Sequence, residues 1–299
     1  MAKILEFYSK SKKIEQLFDE IGKPKSRVRI KGLSASLPPV VGSLFSMSSA
    51  NVVNLFITAN KEEAFYFMND MEMLLGESEK ELSAKKVLLF PSSYRKPYQT
   101  ENVDNANVLL RSEVVKRLSA HQCPIIITYP EALSEKVVSS KTLVRNTLQL
   151  SVNSTMSVDT LIDTLMEYEF ERVDFVVEPG QYAIRGGIVD VFSFANEHPF
   201  RIEFFDETIE SLRTFDTVSQ LSIQILDTIT LIPNLETKTT STVEEKVSLV
   251  EYLSSNDVLW VDNLMYCADT IENGYCEAER IYNTLNSTIS RQTPSYLYT

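Results

Sequence analysis

Glycine is scarce in this chain, with eight in 299 residues against about 7% in ordinary globular proteins. Loops that cradle phosphates need several glycines close together, so a glycine-rich nucleotide site is disfavoured from the outset. Histidine is scarcer still: His121 and His198 are the whole supply, too little for a His-rich metal centre and a thin basis for His-centred catalysis. Cys123, Cys267 and Cys276 form an odd, sparse set without ligand spacing. They argue against a disulfide framework and against a zinc site, and they fit the reducing cytoplasm. Basic charge is short as well, with 29 Lys+Arg against 41 Asp+Glu and a net charge of −12, so the chain has no general pull toward phosphates. No run of about 18 apolar residues is present, so no membrane-crossing helix is expected. The start, Met1-Ala2-Lys3-Ile4-Leu5-Glu6, has no apolar core followed by a cleavage site, which speaks against secretion.

What remains is the composition of a folded protein, 43% hydrophobic and 23% charged, long enough for one large domain or two to three ordinary ones. The first third alternates apolar strands with helical periodicity. Asn51–Thr58, Val87–Phe90 and Pro124–Thr128 read as strands. Between them, Ala64, Phe67, Met68, Met71, Leu74 and Leu75 mark one helix, and Val103, Ala106, Leu110, Val114 and Leu118 another. Asn60 with Glu63 three residues on predicts the cap of the first helix. Strands separated by helices of this length form βαβ units with a parallel sheet, here running to about residue 140. The middle third has a helix over Val158–Tyr168. It is followed by closely spaced strands at Val173–Val177, Gln181–Ile184, Ile188–Phe192, Phe200–Phe205 and Ile209–Phe215, punctuated by Pro179-Gly180 and Gly186-Gly187. Short connections predict antiparallel pairing. The expected fold is therefore α/β: an α/β domain in two segments, 1–140 and 234–299, with a small α+β domain inserted at 141–233. The Thr-rich stretch Thr237–Thr242 reads as a linker, Val258–Val261 as a further strand and Cys267–Leu285 as a helix.

Few residues offer chemistry. The segment Ile30-Lys31-Gly32-Leu33-Ser34-Ala35-Ser36-Leu37-Pro38 is the one place for a phosphate loop, but it has no second glycine and no Lys-Ser/Thr pair. Pro38 and Pro39 also remove amide donors where a helix start should offer them. Asp262 after Leu259-Trp260-Val261 reads as the acidic turn of a buried strand. Lys23, Lys25, Arg27, Arg29 and Lys31 form a basic cluster that reads as a solvated edge. No catalytic residue, cofactor site or metal site is expected.

The middle segment is more informative. In Phe200-Arg201-Ile202-Glu203-Phe204-Phe205, alternation sends Phe200, Ile202 and Phe204 to one face and Arg201, Glu203 and Phe205 to the other. An arginine and a ring on the solvent face suit an interface anchor; alternatively Phe205 ends the strand tucked under the Asp206-Glu207 turn. Arg185 sits before Gly186-Gly187, where its side chain can project. Residues 141–233 hold 6 Lys+Arg and 15 Asp+Glu, so these arginines are isolated cations suited to pairing with carboxylates rather than to holding DNA.

The same residues carry a family resemblance. Tyr168-Glu-Phe-Glu-Arg-Val-Asp-Phe-Val-Val-Glu-Pro-Gly-Gln-Tyr-Ala-Ile-Arg-Gly-Gly-Ile-Val-Asp-Val-Phe192 and Pro199-Phe-Arg-Ile-Glu-Phe-Phe-Asp-Glu-Thr-Ile-Glu-Ser-Leu-Arg-Thr-Phe-Asp216 resemble the N-terminal region of the bacterial transcription-repair coupling factors, Mfd. A weaker form occurs in UvrB, the excision-repair helicase subunit. The likeness is strong over 165–233, looser over 30–135, and rests mainly on order along the chain beyond 234. It implies a UvrB-like module, with a degenerate helicase-like outer domain lacking a nucleotide site and an inserted domain that binds UvrA, the damage-recognising ATPase. The implied UvrA contacts are Arg185, Arg201 and Phe205. The segment Phe90–Pro97 departs from the family's usual Leu-Pro-Tyr order. Full-length members also bind RNA polymerase and translocate DNA with ATP through other domains, which implies that this chain is a fragment of a longer cytoplasmic protein. A UvrB-like DNA-binding or helicase-type module is the alternative.

Overall fold

A computed structural model describes residues 2–49, 51–93, 105–122, 124–194, 196–233, 245–284 and 293–299. Cys123, the Thr-rich stretch 237–242 and positions 94–97 of the Phe90–Pro97 segment lie outside the described residues. The chain divides into two compact units. One comprises Met1–Asn102, Val114–Lys136 and Lys246–Thr299, and the other Val103–Glu113 and Val137–Glu245. The fold is mixed α/β, with a parallel sheet in the first unit and mainly antiparallel sheets in the second.

The first unit is built on a four-stranded sheet in the order Val258–Val261, Asn54–Ile57, Ile125–Thr128, Val87–Leu89, with every pair parallel. All residues of the three strands Asn54–Ile57, Val87–Leu89 and Ile125–Thr128 are buried. Burial of both parities is what a parallel sheet covered on two faces requires, and it explains why these strands are continuous apolar runs. The expected cap is present: Asn60 Oδ1 accepts from the Glu63 N–H at 2.9 Å and opens the helix Lys61–Leu75. Gly76, at φ +70, closes it in the left-handed conformation that glycine adopts without strain.

Among the helices that escaped the sequence reading are Ala2–Ser9, Lys12–Ile21 and Leu37–Ser48, all before the first strand. Their apolar residues Leu5, Ile14, Val40, Val41 and Leu44 form a core of their own. Phe18 meets Phe45 edge-on at 5.1 Å, Phe45 meets Trp260 at 5.3 Å, and Trp260 stacks on Phe56. The Trp260 indole donates to Asn54 Oδ1 at 3.0 Å, so this half-buried ring keeps its polar group satisfied. The strand Val258–Val261 and the helix Leu264–Thr284 form as expected.

The second unit holds a six-stranded sheet. Its order is Ser222–Leu226, Thr208–Phe215, Phe200–Phe205, Ile188–Val191, Gln181–Arg185, Glu171–Arg172. Pairing is antiparallel except between the last two, which run parallel. A separate ladder pairs Leu148–Ser151 with Thr228–Leu231. Tyr182, Val189, Val191, Phe200, Ile202, Phe204, Ile209 and Leu212 face a core completed by Leu161 and Leu165 of the helix Val158–Glu167 and by Leu150, Ile229 and Leu231.

One strand expectation is corrected. Val173–Val177 is not a strand; only Glu171–Arg172 pairs, and the chain then turns over the opposite face of the sheet. There Val176 packs with Ala183, Phe192 and Phe215 in a second small core, with Val173 against it. Val173 and Val176 serve this covering role while Phe175 and Val177 stay exposed, an arrangement that strand periodicity alone cannot distinguish from pairing. Gly180 makes the turn possible. It sits at φ +87, and a Cβ there would meet the Phe194 ring at 2.4 Å.

Candidate functional site

The Phe200–Phe205 strand separates its faces as alternation requires: Phe200, Ile202 and Phe204 are buried, Arg201 and Glu203 half-buried, and Phe205 is 75% exposed. The reading in which Phe205 tucks under the following turn is therefore overturned. Asp206 takes φ +57 at the turn, and the ring stays in solvent.

Strand register builds the outer face in rows. Ala183, Asp190, Arg201, Arg213 and Ile225 lie opposite one another across five strands. The next row runs Arg185, Ile188, Glu203, Ser211. In the first row Asp190 is almost fully buried, with its side chain 1% exposed. Its Oδ1 accepts from Arg201 Nε at 2.7 Å and its Oδ2 from Arg201 Nη2 at 2.9 Å. Oδ2 also accepts from Arg185 Nη2. Arg201 donates further to the carbonyl and the side-chain oxygen of Gln220, at 3.3 and 3.2 Å. Its guanidinium lies 4.3 Å from the centroid of the buried Phe215 ring. The Asp190 hydrogen bond raises the Arg201 pKa above its ordinary value, against the opposing effect of burial. Diagonally across, Glu203 accepts from Ser211 Oγ at 2.5 Å and from Arg213 Nη2.

This geometry corrects one expectation. Arg201 is not an exposed cation: its side chain is 13% exposed and clamped between Asp190, Gln220 and Phe215. The small core around Val176 explains why, since it covers the end of the outer face where the sequence pattern alone predicts solvent. Arg185 does project. Its side chain is 39% exposed, and its guanidinium lies 5.5 Å from the centroid of the exposed Phe175 ring. The Gly186-Gly187 turn sets it there. Gly186 has φ +61, and a Cβ on Gly187 would come within 2.9 Å of the Phe204 carbonyl oxygen.

Asp190, Phe175 and Gln220 were not singled out in the sequence. For Asp190 a signal existed: it is the one charged residue in the apolar run Ile188-Val-Asp-Val-Phe192, and a charge so placed in a strand requires a partner. Gln220 has no such signal, because its position comes from a turn. The Asp216 carboxylate accepts from the Ser219 N–H and Oγ, both at 2.7 Å, and these bonds hold its pKa below the usual value. The turn then brings Gln220, at φ +60, back to Arg201.

The other sequence candidates fall elsewhere. Gly32 is exposed at φ +86. At the helix start beyond it Pro38 and Pro39 have no N–H, the Leu37 N–H is spent on Ser34 O and the Val40 N–H on Ser36 O. The amides that would receive a phosphate there are absent or occupied. Asp262 is an exposed turn residue whose N–H donates to Ile57 O at 3.1 Å. Lys23, Lys25, Arg27, Arg29 and Lys31 lie on an exposed irregular segment. Cys267 is buried, and burial pushes its thiol pKa up, while Cys276 is exposed. Among the described residues no group of three or more His, Cys, Asp or Glu could hold a metal, and no helix is long and apolar enough to cross a membrane. Of Phe90–Pro97 the described part is tied down: Ser92 N–H donates to the Tyr129 hydroxyl at 2.9 Å and Ser93 N–H to the Glu135 carboxylate at 3.0 Å.

Comparison with known proteins points to the same segment. Residues 148–236 match the UvrB interaction domain family. The transcription-repair-coupling factor of Bacillus subtilis is 27% identical over 239 residues, covering 79% of this chain and 19% of that protein. That of Myxococcus xanthus is 29% identical over 223 residues, covering 74% and 18%. That of Escherichia coli is 31% identical over 137 residues, covering 46% and 12%. The resemblance to the coupling factors read from residues 168–216 is borne out. The chain spans about a fifth of the length of the first two of these relatives.

Proposed function

We propose that this chain is a protein-interaction module that recruits UvrA in transcription-coupled nucleotide excision repair, through the outer face of its six-stranded sheet. The observation that carries the reading is a coincidence of place. The segment matching the UvrB interaction domain is the one whose sheet leaves Phe205 and Arg185 in solvent. A ring 75% exposed on a strand gains nothing for the isolated fold, but it can fill an apolar pocket in a partner. The half-exposed arginine suits a partner carboxylate.

The module works by binding, without chemistry and without a cofactor of its own. The occupied amides at the start of the Leu37–Ser48 helix support a fold that has no use for a nucleotide. In the longer cytoplasmic protein of which this chain forms a part, RNA polymerase and DNA are engaged by other domains.

The test is a pull-down of purified UvrA by this chain, with ATP hydrolysis by the chain measured in a separate sample. Capture of UvrA and no hydrolysis above background are expected. Failure to capture UvrA sinks the recruiting role, and saturable hydrolysis favours the helicase-type alternative.

A further inference from the structure

The two arginines of the outer face are not equivalent, and hydrogen-bond accounting shows how. A guanidinium carries five N–H donors. For Arg201, Nε faces Asp190, Nη2 faces both Asp190 and Gln220, and Nη1 faces the Gln220 carbonyl. The flat side of the group rests on Phe215. Almost nothing of Arg201 is left for a partner. Arg185 touches Asp190 through Nη2 alone, and its Nε and Nη1 have no hydrogen-bond partner among the described residues. Those two nitrogens point to different sides of the group, with Cδ between them, so each can give a single charge-assisted hydrogen bond to a carboxylate.

Charge leads to the same division. Asp190, Arg201 and Arg185 together carry one net positive charge, and the neighbouring Arg213–Glu203 pair carries none. The face is therefore set to accept a single acidic side chain at Arg185. The exposed rings of Phe175, beneath that guanidinium, and Phe205, farther along the face, provide apolar surface for the rest of the contact.

We infer that Asp190 is the positioning residue of this surface. Its buried carboxylate consumes Arg201 as a strut and fixes Arg185 so that Arg185 alone presents donors to one acidic side chain of the partner. This rests on the UvrA-recruiting reading and deepens it. The partner patch is one carboxylate with apolar neighbours, and Arg201 acts through Asp190 without touching it.

A double-mutant cycle tests the inference, with UvrA titrated into this chain as wild type, Arg185→Ala, Asp190→Asn and the two combined. Arg185→Ala is expected to weaken binding about 30-fold or more, the loss of an interface anchor. Asp190→Asn is expected to weaken it about 10-fold. Added to Arg185→Ala, Asp190→Asn should cost less than about 2-fold, because the side chain it positions is already gone. A purely structural Asp190 would lose its full factor in both backgrounds, and that additivity overturns the inference. Arg201→Lys keeps a cation against Asp190 and covers the case in which Asp190→Asn does not fold. It should cost much less binding than Arg185→Ala. A loss equal to that of Arg185→Ala with an unchanged melting temperature makes Arg201 a direct contact and overturns the assignment. If the wild-type chain does not bind UvrA, the recruiting reading fails and the inference falls with it; if wild type binds and the cycle is additive, the inference alone fails.

Discussion

The parallel sheet of the first unit and the six-stranded sheet of the second solve opposite problems. In the parallel sheet every residue of Asn54–Ile57 and Ile125–Thr128 is buried, so its central strands have nothing to show a partner. In the Phe200–Phe205 strand burial alternates, and the outer face mixes a buried charge cluster, a small apolar core and an exposed ring. A sheet covered on both sides is a scaffold; a sheet with one partly open side can serve as a surface. The edge strand Ser222–Leu226 carries the contrast further, since Ile225 is 81% exposed where the register sets it beside Arg213.

The sharpest way to probe the contrast is at the buried charge. Asp190→Ala leaves Arg201 without its carboxylate under Phe215 and Gln220. Breaking a buried pair on one side typically costs about 3–5 kcal/mol. Chemical denaturation should register that loss, and a change under about 1 kcal/mol would mean that the cluster is solvated after all. Next come the apolar strands. Leu55→Ala and Phe56→Ala lie on opposite faces of the parallel sheet, and each is expected to cost about 2–5 kcal/mol. In the second unit Ile202→Ala should cost the same, while Phe205→Ala should stay within about 0.5 kcal/mol. Equal losses at 202 and 205 would erase the distinction between the two sheets.

The smallest effect concerns acid. Asp216 has its pKa held below the ordinary carboxylate value by bonds from Ser219. A depressed carboxylate stabilises the fold above its unfolded pKa, and that contribution is lost as pH falls through the folded value. Asp216→Asn should therefore melt slightly below wild type at pH 7, with the gap closing as pH drops from about 4 toward 2. A gap that persists at pH 2 would rule out the carboxylate as its source.

Much of the scaffold was legible in the sequence, because its signals are local. The Asn60–Glu63 cap, the apolar strands and the alternation in Phe200–Phe205 all follow from near-neighbour patterning. The N-terminal helices were not found. Their short apolar stripes gain meaning only through contact with Phe45 and Trp260, residues far apart in the chain. The site was half legible for the same reason. Alternation placed Arg201, Glu203 and Phe205 on the outer face but left open whether Phe205 is exposed or tucked under the next turn, and whether Arg201 is free depends on Val173–Val176 folding over that face and on a turn at Gln220. Periodicity assigns a side chain to a face and does not tell what covers the face.

The most direct test of the account is a UvrA titration with wild-type chain and Phe205→Ala, run beside their melting curves. The account expects saturable binding by wild type, weakened about 30-fold or more in Phe205→Ala, with melting curves that superimpose. Equal binding by the two proteins, or no binding by wild type, would contradict it.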